Sequence, residues 1–414
     1  MQSEKYDFFL SIFRDAPDVS SMRLSRLRYT VPFKKVFVGT IAFVLVLFFF
    51  LGRFLQYETP VITPAMYRVV LVSLSSSLDR MDRELPITIQ SLVSQTVLPY
   101  EIRIYLPLEE EDFVRQRVQA SRGEDVSAKP LPAVLLHPVV RLLHRDDYGA
   151  ATKYLHVIRD MLRGADSGFP DVTLNQPIII VDDDHSYSPH LVSTLLQAHK
   201  AYPDAAVGFR GWRIRLFSPD LEWGVPSDEY DRHVIQGHML AEPYRVGVLT
   251  ANEGYLVVPR FFVFNAISQN GRPIESESIS YETSAELLNM LHLMSASGHL
   301  ADDIWMSGNL ARQHVPRYVV PLPGPASVDV AHTRRLDARL EAEGLSRTSV
   351  NGVALQRFSD AWIDEGIFYR FSRHAASKPP NHGGPWVSDA EADAEPVYLP
   401  WPELVWKTLQ AWIA

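Results

Sequence analysis

The chain has 414 residues, 46% hydrophobic and 21% charged, as in an ordinary globular protein with one large or two smaller domains. Its formal net charge of −9 argues against a general nucleic-acid binder, because a phosphate backbone requires a basic surface. The sequence contains no cysteine, which excludes disulfides, zinc–thiolate sites and cysteine nucleophiles.

Uncharged, apolar residues fill positions 36–52, between lysine and arginine side chains. This length is near the lower limit of about 17–25 residues for a membrane-spanning helix. More basic side chains precede the stretch than follow it, so the positive-inside rule places the short N-terminus in the cytosol. We therefore predict a cytosolic tail (1–35), a type II transmembrane anchor (36–55) and a stem (56–66). The alternative is a buried core helix.

Beyond the stem, strand-like and helix-like segments alternate along the chain. Runs of β-branched and aliphatic residues predict strands at 68–74, 101–106, 139–143, 178–181 and 205–209. Apolar residues at helical spacing predict helices at 85–95, 151–163 and 190–201. This alternation predicts an α/β domain with a mostly parallel sheet flanked by helices. In such a sheet, ligands bind at the carboxyl ends of the strands.

The second half of the chain has a less regular pattern. We predict irregular structure at 212–245, one long strand at 246–258, and helices at 284–295 and 302–313. Past residue 321 the chain is rich in proline, glycine and charged residues. This change separates a predicted domain (67–322) from a C-terminal extension (323–414) that packs on the domain or trails from it.

Three consecutive carboxylates, Asp182, Asp183 and Asp184, follow the predicted strand at 178–181. A buried strand end does not hold three repelling charges without a cation, which favours a divalent metal site. Asp182 and Asp184 are the predicted ligands, because alternate residues project to the same side, and their oxygens suit Mn²⁺ or Mg²⁺. The alternative is an Asx turn that caps the following helix. The adjacent His185 is expected to be solvent-exposed rather than a ligand.

Three other polar side chains each have two open interpretations. Lys153, in a helix opened by Asp147, either meets a phosphate or is solvated. Arg80, past the first strand, either contacts a nucleotide or lies at a solvated helix start. Glu253 lies within an apolar strand beside Gly254, which indicates a bulge or close packing, and contact with a sugar is the alternative.

Four segments in this order and spacing resemble the membrane-anchored glycosyltransferases of the GT-A fold, family 2-like enzymes most of all: RVVLVSLSSSLDR, DYGAATKYL, IIIVDDD and ADDIWMSGNLARQHVPR. The resemblance covers residues 67–320. It implies that the first strand and its loop, including Ser75 and Arg80, hold a nucleotide. It also implies that the metal at the triple aspartate binds the diphosphate of a nucleotide sugar. Lys153, Asp183 and Glu253 are then expected to contact this donor.

The resemblance also implies an acceptor side of the site. The pair Asp302-Asp303 opens the predicted helix at 302–313, where such enzymes carry the base that takes the proton of the acceptor hydroxyl. Asp303 is the favoured base and Asp302 the second choice, with helix capping as the alternative role. His332 is a candidate third metal ligand, as a C-terminal histidine is in some GT-A enzymes.

The sequence therefore predicts a metal-dependent enzyme that transfers a sugar from a nucleotide-sugar donor to a hydroxyl of a glycan, lipid or protein, with inversion. The expected setting is a Golgi or other endomembrane, with the catalytic domain lumenal and one helix in the lipid bilayer. Two alternatives remain open. One is a nucleotidyltransferase of related α/β fold, although SLSSSLDR lacks the glycines of a phosphate loop. The other is a non-catalytic, membrane-tethered glycan-binding or scaffold protein.

Overall fold

The computed structural model describes most of the compact unit Ile62–Ala414, namely residues 70–124, 127–162, 174–216, 230–262, 301–330, 340, 342, 344–358, 361–362 and 396–413. The predicted tail, anchor and stem, the predicted helix at 284–295 and His332 lie outside the described residues. Within the described ranges, no helix has the length and hydropathy needed to cross a bilayer.

Strands and helices alternate through the first half of these ranges, as predicted. The strands are β1 (Leu71–Ser75), β2 (Glu101–Pro107), β3 (Val140–Arg145), β4 (Ile178–Ile180), β5 (His185–Tyr187), β6 (Ala206–Gly208), β7 (Arg210–Leu216), β8 (Tyr230–Gln236), β9 (Tyr244–Arg245), β10 (Val248–Leu249), β11 (Tyr255–Val257), β12 (Arg317–Val319) and β13 (Ser327–Asp329). The helices are α1 (Glu84–Val93), α2 (Glu111–Ser121), α3 (Thr152–Leu162), α4 (Leu191–Ala201), α5 (Asp302–Arg312), α6 (Arg347–Arg357) and α7 (Trp401–Ile413).

The main sheet has eight strands in the order β3-β2-β1-β4-β11-β6-β12-β9. Strands β3, β2, β1 and β4 are parallel, and β6 pairs with β12 in parallel. Strand β11 lies antiparallel between β4 and β6, and β9 is antiparallel to β12 at the edge. Helix α3 packs against β1, while α4 packs against β6 and β11. The predicted α/β class, a mixed and mostly parallel sheet flanked by helices, is confirmed.

The core of the sheet is built from the aliphatic runs that predicted its strands. Ile178, Ile179 and Ile180 of β4 are all fully buried, because β4 is central and covered on both faces. Each such side chain contributes about 1.5–3 kcal/mol by its removal from water. This burial fixes the strand whose carboxyl end carries the three aspartates.

Two predictions for the region after β6 were wrong. The residues predicted to be irregular contain β7, β8 and β9; β7 and β8 form an antiparallel pair, with Trp212, Ile214 and Ile235 facing the core. The single strand predicted at 246–258 is divided into β10 and β11 by a 3₁₀ turn, Ala251–Glu253. Gly254 follows this turn with a φ of 81°, a conformation that is unfavourable for residues with a Cβ.

The described parts of the region 323–414 contact the preceding domain. Strand β13 pairs with β5, and Tyr398 forms a bridge with Leu240. The residue that follows α6, Phe358, packs edge-on against Trp305 of α5, with 5.1 Å between the ring centroids.

Candidate active site

The topology brings four chain segments to one edge of the main sheet. The triple aspartate follows β4, and the loop that contains Arg80 follows the parallel strand β1. Arg210 follows β6, which is also parallel to β4, because both are antiparallel to β11. Glu253 precedes β11 and therefore lies at the same edge. Carboxyl ends of parallel strands are where α/β proteins bind ligands.

The triple aspartate does not cap a helix. A tight turn leads from it into β5, and the hydroxyl of Tyr187 fixes this turn by accepting a hydrogen bond from the Asp182 N–H (2.8 Å) and donating one to the Asp182 carbonyl (3.0 Å). Helix α4 begins only at Leu191, and no side chain hydrogen-bonds at its N-cap residue, His190. The predicted alternative, an Asx turn capping the following helix, is therefore wrong.

Asp182, Asp184 and His185 form a cluster in which one ligand atom of each lies within 4.8 Å of the others. The expectation that His185 would be solvent-exposed was wrong, since Nδ1 lies 2.7 Å from Asp184 Oδ1 and the side chain is largely buried. Burial alone would raise the pKa of Asp184, but the hydrogen bond and charge of His185 lower it. Two carboxylates and an imidazole are a donor set that suits Mn²⁺.

Asp183 is not part of this cluster of possible metal ligands. Its carboxylate pairs with Arg80, whose Nη1 also lies 3.1 Å from Asp184 Oδ2. The hydroxyl of Thr88 donates to the Asp183 carbonyl at 2.9 Å. Burial raises the pKa of Asp183 to about 6, although the charge of Arg80 opposes this shift. Arg80 is thus held against the aspartates rather than solvated, and Ser75 lies half-buried at the end of β1.

Lys153 connects two parts of the site that are far apart in sequence. Its Nζ lies 2.6 Å from Asp182 Oδ1 and 2.6 Å from Asp302 Oδ2. The side chain is only 5% exposed, so the alternative of a solvated lysine is wrong. Burial alone would lower the pKa of Lys153, but the charges of Asp182, Asp302 and Asp303 raise it well above its ordinary value. Asp147 does stabilise the chain before α3, since its Oδ1 accepts from the Gly149 N–H at 2.8 Å.

The two aspartates at the start of α5 have different surroundings. The N-cap residue is Ala301, and neither aspartate hydrogen-bonds there as a cap, although both lie in the first turn where the helix dipole favours negative charge. Asp302 pairs with Lys153, whereas Asp303 Oδ1 accepts the Ala251 N–H at 3.1 Å. Part of Asp303 remains accessible, yet its carboxyl is largely desolvated. This desolvation and the charge of Asp302 raise the pKa of Asp303 well above its ordinary value.

Two further charged side chains, Glu253 and Arg210, lie at the same edge of the main sheet. Glu253 is 7% exposed, and burial raises its pKa to about 7, against the opposing effect of Arg210. Arg210 Nη1 donates to Asn252 Oδ1 (3.1 Å) and Thr250 Oγ1 (3.3 Å). Burial lowers the pKa of Arg210, and the charges of Glu253, Asp303 and Asp182 oppose that change. The two hydrogen bonds hold Arg210 beside the turn Ala251–Glu253, whose Ala251 N–H is bonded to Asp303.

The sequence interpretation missed two participants at this edge, Tyr187 and Arg210, and wrongly expected a third, His185, to be solvent-exposed. Arg210 carried a usable signal, because a charged residue immediately after a predicted buried strand is the same feature that identified the triple aspartate. Tyr187 carried no such signal, because β5 is too short to be recognised from its alternation.

The charges at the edge do not balance. Among the described residues discussed above, the carboxylates are Asp182, Asp183, Asp184, Glu253, Asp302 and Asp303, and the permanent cations are Arg80, Lys153 and Arg210. Burial is the largest cause of the raised pKa values of Asp183, Glu253 and Asp303, and the charges of neighbouring carboxylates add to it for Asp183 and Asp303. A divalent cation among these carboxylates would relieve it.

Comparison with known proteins gives little further information. No family model matches the chain, and no curated protein matches it. The chain is similar in structure to 4-diphosphocytidyl-2C-methyl-D-erythritol synthase from Anaerococcus prevotii DSM 20548, with 9% identity and a TM-score of 0.29 over 55% of this chain and 86% of that one. A second structure of a 4-diphosphocytidyl-2C-methyl-D-erythritol synthase gives 11% identity and a TM-score of 0.27 over 54% and 99%. Similarities this small carry no argument about activity.

Proposed function

We propose that the protein is a metal-dependent glycosyltransferase of the GT-A type, similar to family 2 enzymes, that uses a nucleotide-sugar donor. One observation carries this proposal: a single buried ammonium, Lys153 Nζ, lies 2.6 Å from both Asp182 and Asp302. Residues expected at the donor diphosphate and residues expected at the acceptor are therefore neighbours. Sugar transfer requires this proximity, because the acceptor oxygen must attack the carbon that the diphosphate leaves.

Asp182, Asp184 and His185 would hold Mn²⁺ or Mg²⁺, and the ion would neutralise the negative charge that develops on the leaving diphosphate. His332 remains the candidate for a further ligand. The Val330 N–H donates to the Asp184 carbonyl at 2.9 Å, so the described chain runs beside the cluster two residues before His332. Arg80 and Lys153 are the side chains available to hold the phosphates.

Asp303 is the base in this proposal. Asp302 pairs with Lys153 Nζ, whereas Asp303 has a raised pKa and so binds a proton more readily than an ordinary aspartate. Asp303 removes the proton of the acceptor hydroxyl as its oxygen bonds to the anomeric carbon, and the bond to the diphosphate breaks on the opposite face. The configuration at that carbon is then inverted. A product of retained configuration would contradict this assignment.

A nucleotidyltransferase of related α/β fold is the second candidate. The two similar solved structures are synthases of a diphosphocytidyl compound, and their names agree better with this candidate. Their TM-scores are too low to support it. The chemistry separates the two candidates: a nucleotidyltransferase consumes a nucleoside triphosphate and releases pyrophosphate. A glycosyltransferase consumes a nucleotide sugar and releases a nucleoside diphosphate.

The proposal is tested by thermal unfolding of the full chain with Mn²⁺, with UDP or GDP, and with both together. We expect a nucleoside diphosphate to stabilise the protein only when Mn²⁺ is present, by about 2.7 kcal/mol at 100 times its dissociation constant. Stabilisation by a triphosphate, with release of pyrophosphate from it, would favour the nucleotidyltransferase. No shift with any nucleotide would favour the glycan-binding or scaffold protein.

The same proposal includes the type II anchor at 36–55 and a lumenal catalytic domain in the Golgi or another endomembrane. The uncharged stretch and the basic residues before it support this location. Deletion of residues 1–55 should move the protein from the membrane fraction to the soluble fraction. Recovery of the full chain in the soluble fraction would contradict the anchor.

A further inference from the structure

Arg210 and Glu253 are neighbours at this edge of the main sheet but form no ion pair, since Arg210 hydrogen-bonds to Thr250 and Asn252 at the turn that ends with Glu253. The charge of each acts on the other, as the pKa shifts of both groups express. Within the described part of the chain, however, no guanidinium nitrogen of Arg210 lies within 4.0 Å of a Glu253 carboxylate oxygen. A guanidinium only donates hydrogen bonds, and a carboxylate only accepts them. The two side chains therefore offer a ligand donors from Arg210 and acceptors from Glu253.

Arg210 is held in place by its neighbours, whereas Glu253 is buried with an unsatisfied oxygen. Arg210 is fixed by Asn252 and Thr250, and the Ser327 hydroxyl in turn donates to the Asn252 carbonyl at 2.7 Å. Glu253 is nine-tenths buried, and its Oε2 has no hydrogen-bond partner among the described residues. Such an oxygen is costly to leave unsatisfied in a folded protein, which indicates that a ligand supplies the missing donor.

The turn that carries Glu253 lies between the two halves of the proposed reaction. On one side, the Tyr187 hydroxyl, which accepts the Asp182 N–H, lies 3.5 Å from the Ala251 carbonyl. On the other side, Asp303 accepts the N–H of Ala251, which lies in the same 3₁₀ turn as Glu253. The transferred group must occupy the space between the metal-bound diphosphate and the base. Arg210 and Glu253 border that space.

We propose that Arg210 and Glu253 form the subsite for the transferred sugar and select an uncharged sugar with adjacent free hydroxyl groups. This inference rests on the proposed function. A hydroxyl both donates and accepts, so one hydroxyl can donate to Glu253 while its neighbour accepts from Arg210. A uronate would instead add a carboxylate to a site in which carboxylates already outnumber cations, and it would be repelled.

The test is hydrolysis or transfer by the full chain, with Mn²⁺, of three matched donor pairs: UDP-glucose and UDP-glucuronate, UDP-galactose and UDP-galacturonate, GDP-mannose and GDP-mannuronate. Each pair differs only in a sugar carboxylate. We expect kcat/KM for the preferred hexose to exceed that for its uronate by at least about 100-fold. A site that hydrogen-bonds a hydroxyl strongly rejects an analogue that carries another group at that position.

Glu253→Gln removes the charge at constant shape and should lower kcat/KM for the preferred hexose by about 10- to 100-fold, while its preference over the uronate shrinks. Glu109→Gln, at an exposed carboxylate, is the matched control and should change neither value. The Mn²⁺-dependent stabilisation by nucleoside diphosphate should persist in Glu253→Gln, since the metal cluster is intact. Loss of that stabilisation would show that the variant is damaged more widely, and would overturn the assigned role.

The failures of the two proposals are distinguishable. Turnover of a hexose donor by the wild-type chain, combined with equal use of its uronate or with full activity of Glu253→Gln, would overturn the sugar subsite alone. The absence of Mn²⁺-dependent stabilisation by UDP and GDP, together with no turnover of any of the six donors, would overturn the proposed function and the subsite with it.

Discussion

Replacement of Lys153 by methionine tests the most unusual contact in the site. Methionine keeps the length of the side chain but leaves Asp182 and Asp302, each 2.6 Å from Nζ, without their cation. Removing one partner of a buried ion pair costs about 3–5 kcal/mol, because the remaining charge is buried without compensation. Both carboxylates lose a partner here, so we expect a loss of at least about 3 kcal/mol in the free energy of unfolding.

The matched control is Lys129→Met. Lys129 Nζ lies 2.8 Å from Asp82 Oδ2, a similar distance, but its side chain is 69% exposed. An exposed pair contributes about 0–1 kcal/mol, so this variant should be nearly as stable as the wild-type protein. Urea denaturation followed by tryptophan fluorescence measures the free energy of unfolding of both variants. The values can be compared if this free energy has the same slope against urea concentration in each.

Mn²⁺ provides a second readout on the same variant. Because Lys153 competes for Asp182, its removal should increase the stabilisation that Mn²⁺ confers relative to the wild-type protein. A loss of less than about 1 kcal/mol in Lys153→Met, indistinguishable from the loss in Lys129→Met, would refute the buried double ion pair.

Three further predictions concern catalysis, pH and metal binding. Asp303→Asn should lower kcat by about 10²- to 10⁴-fold. A larger loss of kcat in Asp302→Asn would identify Asp302 as the base instead. Glu253→Gln should change how stability depends on pH. Because the native pKa of Glu253 is about 7 and its ordinary value is 4.5, its contribution to stability is complete below pH 4.5 and is lost as the pH rises through 7. The variant should therefore gain about 3 kcal/mol relative to the wild-type protein between these limits, in denaturation at pH 4.5 and 8, and a constant difference would contradict the raised pKa. His332→Ala should weaken Mn²⁺ binding by about 10- to 100-fold in calorimetric titration, whereas unchanged affinity would remove His332 from the ligand set.

The parallel half of the sheet was predictable because its signals are local. Runs such as Ile178–Ile180, with a polar junction after them, report burial on both faces and the position of the ligand edge. The antiparallel insertion of β11 between β4 and β6 has no such signal, since register and direction depend on contacts between distant segments. That insertion brings Glu253 to the ligand edge, and so the sugar subsite could not be derived from spacing alone.

The identities of the acidic residues were predictable, but their partners were not. Three carboxylates after a buried strand require a cation, and the sequence supports a metal there. Lys153 was expected to contact a phosphate or be solvated, whereas the packing of α3 against β1 buries it between Asp182 and Asp302. His185 was expected to be solvent-exposed. The tight turn into β5, which the Tyr187 hydroxyl holds, instead brings its ring to Asp184.

Turnover of nucleotide sugars by the wild-type chain and by Asp184→Ala, with and without Mn²⁺, tests the central claim most directly. We predict that the wild-type protein releases a nucleoside diphosphate from at least one hexose donor only when Mn²⁺ is present. Asp184→Ala, which lacks one carboxylate of the cluster formed with Asp182 and His185, should lose this activity. Metal-independent turnover, equal activity of Asp184→Ala, or pyrophosphate release from a triphosphate instead of donor turnover would contradict the central claim.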